Sequence, residues 1–139
     1  MDAFIHVPRE ERRLVFEQAQ AVLNLPARSV EKDFWVCWTL RQLFGLPRFA
    51  TYLTFKGGTS LAKVWRLIER FSEDVDIIME RDCLGFGGER SPEAAKGKKQ
   101  RQKRLKELKA ACQERVQAVL RPDLEQQFRE ALPPRKPGG

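Results

Sequence analysis

Histidine occurs once in these 139 residues, as His6. That scarcity removes Ser-His-Asp and Cys-His catalysis, which need a positioned imidazole base, and it removes histidine-rich metal sites. Cysteine is almost as sparse: Cys37, Cys83 and Cys112 show no paired spacing. They read as reduced packing thiols, with neither a zinc site nor a disulfide framework. No apolar run is long enough to span a membrane, and Met1-Asp2-Ala3-Phe4 does not open a signal peptide, so the expected location is cytoplasmic. Acidic residues are outnumbered, 19 Asp and Glu against 26 Lys and Arg, for a net charge of +7. An excess of that sign suits a partner rich in phosphate. The length fits one domain over 1–139, able to bury about two-thirds of its unfolded surface. Metal-assisted carboxylate chemistry survives these exclusions.

The residues for it are present. Lys56-Gly57-Gly58-Thr59-Ser60 is followed, with fifteen residues between Gly58 and Asp74, by Asp74-Val75-Asp76-Ile77-Ile78-Met79. A Cβ would obstruct the approach of backbone to polyphosphate, so Gly57 and Gly58 are the permissive residues, and Thr59 or Ser60 can cap the next helix or lend a hydroxyl. A helix opening there offers free N–H groups and its positive end to phosphate. The strand period of two turns Asp74 and Asp76 to one face and Val75 and Ile77 toward the core. Paired hard oxygen ligands suit Mg²⁺ or Mn²⁺ bridged to substrate phosphates. The combination points to phosphoryl or nucleotidyl transfer, although Gly-Gly alone is most often a tight turn and Asp-x-Asp alone a solvated strand end.

The run Thr54 to Leu61, together with Leu67 to Ile77, resembles the first motif of the nucleotidyltransferase superfamily, and more narrowly it is similar to the AbiEii family of abortive-infection, type IV toxin–antitoxin toxins. Val30 to Val36 and Arg81 to Gly88 extend the likeness over most of positions 30 to 120. The resemblance implies an α/β (α+β) nucleotidyltransferase-like fold with a small mixed sheet, N-terminal helices and a long basic C-terminal helix. It implies a metal-dependent transferase moving a nucleotide from an NTP to RNA, with tRNA 3′ ends among the acceptors, and a cognate antitoxin as partner. Carried over by motif, Gly57, Gly58, Thr59 and Ser60 hold the triphosphate, Asp74 and Asp76 bind metal and are catalytic, and Lys98 or Lys99 contacts nucleotide phosphate. Family members continue further, with later strands that supply a third carboxylate, so the resemblance also implies an incomplete, C-terminally truncated chain. Asp82, Asp123 and Glu125 are the nearest substitutes, and their placement favours none of them.

Elsewhere the pattern is mainly helical. Pro8 to Leu25 carries Leu14, Val15, Ala19, Val22 and Leu23 at helical spacing, stopped by Pro26, and Ser29 reads as the N-cap of a second helix to about Phe44 with Phe34, Cys37, Leu40, Leu43 and Phe44 as its stripe. Thr51 to Phe55 reads as a strand, and Thr59 to Glu69 as a helix burying Leu61, Val64, Trp65 and Ile68. The motif-bearing core is thus 26–83. Trp35, Trp38 and Trp65 read as packing residues rather than base platforms.

Ser91-Pro92-Glu93 opens a helical segment over 91–132, and 133–139 reads as a proline-rich flexible tail. From Lys96 to Lys109 the only acid is Glu107. Leu105, Leu108, Cys112, Val116, Val119 and Leu120 form an apolar seam there. Lys98, Lys99, Arg101, Lys103 and Arg104 are the candidates for phosphate, with Arg101, Lys103 and Arg104 assigned to RNA; a plain solvated helix face is the competing reading. Three functions follow: an active transferase toxin, an inactive nucleotide- or RNA-binding remnant of one, or a basic RNA-binding module to which the aspartates are incidental.

Overall fold

The computed structural model describes residues 1–56 and 75–134. The Gly57-Gly58-Thr59-Ser60 turn, the expected helix with Leu61, Val64, Trp65 and Ile68, Asp74, and the end of the tail lie outside the described residues. The elements are α1 (Asp2–Ile5), α2 (Arg9–Leu23), α3 (Ala27–Phe44), β1 (Leu53–Lys56), β2 (Asp76–Met79), α4 (Lys98–Arg115) and α5 (Arg121–Ala131). Three 3-10 turns, Arg81–Leu84, Gly88–Arg90 and Pro92–Ala94, lie between β2 and α4. The molecule is mostly helical with a small sheet, the α+β composition expected; the strands described are one antiparallel pair, Leu53 opposite Met79 and Lys56 opposite Asp76.

Helix boundaries follow local chemistry. Asn24 ends α2 in the left-handed region at φ 53°, a conformation asparagine tolerates, two residues before Pro26. Ser29 is not the N-cap of α3. The helix begins at Ala27 behind Pro26, whose fixed φ suits a helix entry, and Gln20 Oε1 accepts from the Ala27 N–H at 3.0 Å, doing from the previous helix what a capping side chain does. Ser91 does cap, but a single 3-10 turn, with its Oγ accepting from the Ala94 N–H at 3.3 Å; α4 starts afresh after Gly97. Pro122 would press its ring on the Ala118 carbonyl in a regular helix, and a wider π turn over Val116–Leu120 precedes it and divides the expected long helix into α4 and α5.

Leu43, Leu46, Phe49 and Leu53 form the central core, with Ile77, Met79, Cys83, Val119, Leu120 and Leu124 packed on it. One face of the hairpin therefore rests on the end of α3, the loop after it, and the α4–α5 junction. A chain of aromatic rings, Phe4, Phe16, Phe34, Trp35, Trp38 and Phe128, ties α1, α2, α3 and α5 together at centroid distances of 5.0–6.0 Å. Trp35 and Trp38 are packing residues, as expected. Trp38 is 2% exposed, and its buried Nε1 has no hydrogen-bond partner among the described residues.

Two expected apolar stripes are corrected. On α2 only Phe16 is buried; Leu14, Val15, Val22 and Leu23 are exposed, Val22 at 84%. The buried contact of the helix runs through Phe16, which packs against Phe4 and Phe34, while those four side chains stay largely exposed. On α4, Leu105 is 49% exposed, and Arg104 takes its place toward the protein.

Candidate functional site

The hairpin decides where Asp76 sits. Exposure alternates along β2, Asp76 and Ile78 outward, Ile77 and Met79 inward, and the inward pair is fixed by the core. Asp76 is thus presented to solvent by a strand it does not have to anchor. Its cross-strand partner in register is Lys56, also exposed, and opposite charges at directly facing positions stabilise such a pair. Lys56 and Asp76 close one end of the hairpin, where the glycine segment leaves and the aspartate strand returns. Among the described residues no three His, Cys, Asp or Glu side chains are grouped to hold a metal ion. As a solvent-facing hard oxygen donor, Asp76 fits a hydrated divalent cation.

Two of the three alternative carboxylates, Asp123 and Glu125, are paired with arginines. Asp123 accepts two hydrogen bonds from Arg48, at 3.0 Å from Nε and 2.6 Å from Nη2, a fork geometry that clamps α5 to the loop before β1. Glu125 accepts from Arg121 Nε at 2.9 Å. Asp82 lies in the 3-10 turn that follows β2, where its main-chain oxygen accepts from the Gly85 N–H.

A brace links the hairpin to the basic helix. Arg81, just past β2, binds Glu93, just before α4, and this hydrogen bond above all holds the Glu93 carboxyl below the usual carboxylate range. Further along, Arg115 Nη2 donates to the Cys83 carbonyl at 3.0 Å. Arg104 Nη1 donates to the carbonyls of Glu89 and Ser91, both at 2.8 Å. Arg104 is therefore a latch between α4 and the preceding turns, and the sequence, seeing only charge in a basic run, assigned it to RNA. Lys103 lies 4.0 Å from Glu107 in an i,i+4 pair that leaves it 76% exposed at the side chain. Lys98, Lys99 and Arg101 are exposed on the first turns of α4, where Lys98 and Arg101 line a shallow hollow with Ala95, Lys96, Gly97 and Gln102.

His6 and Cys37 stand apart from the Lys56–Asp76 end of the hairpin in the sequence of elements, on the C-cap of α1 and on α3. His6 is exposed, beside a hollow it shares with Asp2, Arg41 and Glu130, away from any serine or cysteine nucleophile lining that hollow. Burial pushes the Cys37 thiol up, the direction of an inert packing cysteine. Glu80, unremarked in the sequence, is on the same outward row as Asp76 and Ile78, and Thr54 Oγ1 donates to its Oε1 at 3.5 Å. Extending the period of two from Asp74 and Asp76 would have found it.

The family model for the nucleotidyl transferase AbiEii toxin of type IV toxin–antitoxin systems matches residues 38–139. The match begins at Trp38 inside α3, takes in both strands and all of α4 and α5, and leaves Val30 to Val36 outside. No curated protein and no solved structure matches the chain.

Proposed function

Since this chain belongs to the AbiEii family of nucleotidyl transferase toxins, we propose that the Lys56–Asp76 end of the hairpin is its transfer site and RNA its acceptor. The family supplies the toxin nucleotidyltransferase class, an NTP and a divalent metal, and an antitoxin as partner. The finer assignments are ours. Asp76, with Asp74, holds Mg²⁺ or Mn²⁺, and Gly57, Gly58, Thr59 and Ser60 receive the triphosphate. The observation that carries this reading is the strand alternation: Ile77 and Met79 fix β2 in the core and leave the Asp76 carboxylate outward, opposite Lys56.

In nucleotidyl transfer an acceptor hydroxyl attacks the α-phosphorus of the NTP, and the bond to the bridging oxygen of pyrophosphate breaks. The metal, when bound, offsets charge on the phosphate oxygens. Asp76 orients it, and Lys56 adds positive charge on the same face. Lys98, Lys99 and Arg101 meet phosphates of the nucleotide or of the RNA backbone with sequence-independent, salt-sensitive affinity. Lys103 supports that surface, and Arg104 positions the helix that carries it. The locale of NTP and RNA, the cytoplasm, is where we place the activity; no helix among the described residues is long and apolar enough to cross a membrane.

A thermal melt with Mg²⁺ and each NTP tests the site. A nucleotide at a hundred times its Kd stabilises the folded state by about 2.7 kcal/mol, and Asp74→Asn and Asp76→Asn should each remove that gain. A shift retained in both variants, or none in the parent, overturns the assignment. Binding of Mg-NTP with no transfer to any RNA would instead support the nucleotide-binding remnant.

A further inference from the structure

The outward face of the hairpin is not wholly polar. Tyr52 is 39% and Ile78 42% exposed, and both lie on the side opposite the core. The register sets Thr54 beside Ile78, and the Glu80 N–H donates to the Tyr52 carbonyl at 2.7 Å, which puts Tyr52 beside Glu80. Moving away from the Lys56–Asp76 end, the face therefore presents Thr54 and Ile78, then Tyr52 and Glu80. Same-face positions on a strand are about 6.8 Å apart, so Ile78 lies one such step from Asp76 and Glu80 two.

We propose that this strip is the nucleobase subsite of the transfer site. It rests on the reading that Asp76 holds the metal-bound nucleotide. A nucleotide whose phosphates sit at Asp76 must extend its base in some direction, and this direction offers a ring to stack on, an aliphatic floor, and a polar edge made by Glu80 and Thr54. A solvent-facing tyrosine and isoleucine beside a catalytic carboxylate are what base stacking uses, since every base has an apolar face. The edge also discriminates. A carboxylate only accepts hydrogen bonds, so Glu80 pairs with an exocyclic amine, as on cytosine, and opposes the carbonyl that uracil carries at that place. Tyr52 sets affinity for the base and Glu80 sets its identity, favouring amino-bearing bases over uracil.

The test is equilibrium binding, with Mg²⁺, of CTP, UTP and inorganic tripolyphosphate, which has phosphates but no base. Tyr52→Ala should weaken CTP by about tenfold or more while leaving tripolyphosphate unchanged, and Tyr52→Phe should restore CTP, because the ring and not the hydroxyl stacks. Glu80→Gln should erode the preference for CTP over UTP, an amide being able to donate as well as accept. Tyr52 is exposed, so the melting temperature of its variants should stay at that of the parent. If the parent binds tripolyphosphate but shows no gain from a base, or if Tyr52→Ala changes nothing, this inference fails and the Asp76 reading stands. Equal loss of CTP and tripolyphosphate in Tyr52→Ala also overturns it. A parent that binds neither overturns both.

Discussion

The β1–β2 hairpin is held by one face, and α4 is tied at separate points by arginines that donate to main-chain carbonyls. On the hairpin, Leu53, Ile77 and Met79 enter the core and leave an outward row, from Tyr52 and Glu80 to Lys56 and Asp76, exposed on the other face. On α4 the C-terminal end is tied by Arg115 to the Cys83 carbonyl and the N-terminal half by Arg104 through two carbonyls, while Lys98, Lys99 and Arg101 stay exposed. A strand separates anchoring from presentation residue by residue, because its side chains alternate. A basic helix does not, so charge by itself does not say which cation binds a ligand and which holds the helix.

The largest effect that would break this comparison is expected at the hairpin. Asp76→Asn should lower nucleotide transfer about a thousandfold, roughly the 4 kcal/mol that a lost metal contact costs, with little change in the melt; a folded variant with near-parent transfer would remove the hairpin from the site. The aromatic packing behind it should behave in the opposite sense. Trp38→Ala should cost about 3–5 kcal/mol of stability by leaving a cavity, whereas Trp38→Phe should be much milder, because it keeps most of the ring and deletes a buried N–H that has no partner. Equal losses by denaturant titration would show that the indole nitrogen does find one.

On α4 the prediction is a split. Replacing Lys98, Lys99 and Arg101 together by glutamine should flatten the salt dependence of RNA binding by about one unit of slope per lost phosphate contact and leave stability unchanged. Arg104→Gln should instead cost about 1–3 kcal/mol of stability, having left two carbonyls without a charged donor. A fall in salt slope for Arg104→Gln with an unchanged melt would return Arg104 to the RNA surface.

The smallest expected effect is pH-dependent. Because Arg81 depresses the Glu93 carboxyl in the folded state, the brace contributes fully above the unfolded pKa of glutamate and is lost as pH falls through the lower folded value. Glu93→Gln should therefore flatten the acid limb of the stability profile slightly. An identical acid limb in the variant would show that the exposed pair contributes nothing, as many such pairs do.

Much of this was legible in the sequence because it is local. The strand expected over Thr51 to Phe55 forms at Leu53–Lys56, a strand carries Asp76, and Pro26 follows the end of α2 as expected, whereas Ser91-Pro92 opens a single 3-10 turn and not the long helix. What failed was whatever needed to know the neighbour. Leu14, Val15 and Val22 have helical spacing that fits a buried stripe, and they face away from α3 because the aromatic residues Phe4, Phe16 and Phe34 took the interior side. Ser29 has the chemistry of a cap, and Gln20 reached the helix start first.

The sequence by itself carried the family and with it the nucleotidyl transferase class, through its likeness to the AbiEii toxins over residues 38–139, and it carried the sign of the net charge. Tertiary structure alone decided which charged residues are tied into contacts and which are left exposed. Arg104, Asp123 and Arg48 are spent on contacts between segments far apart in the chain, and Asp76, Lys98 and Arg101 are not, because hydrogen-bond geometry is fixed by where the backbones come to lie and not by residue type.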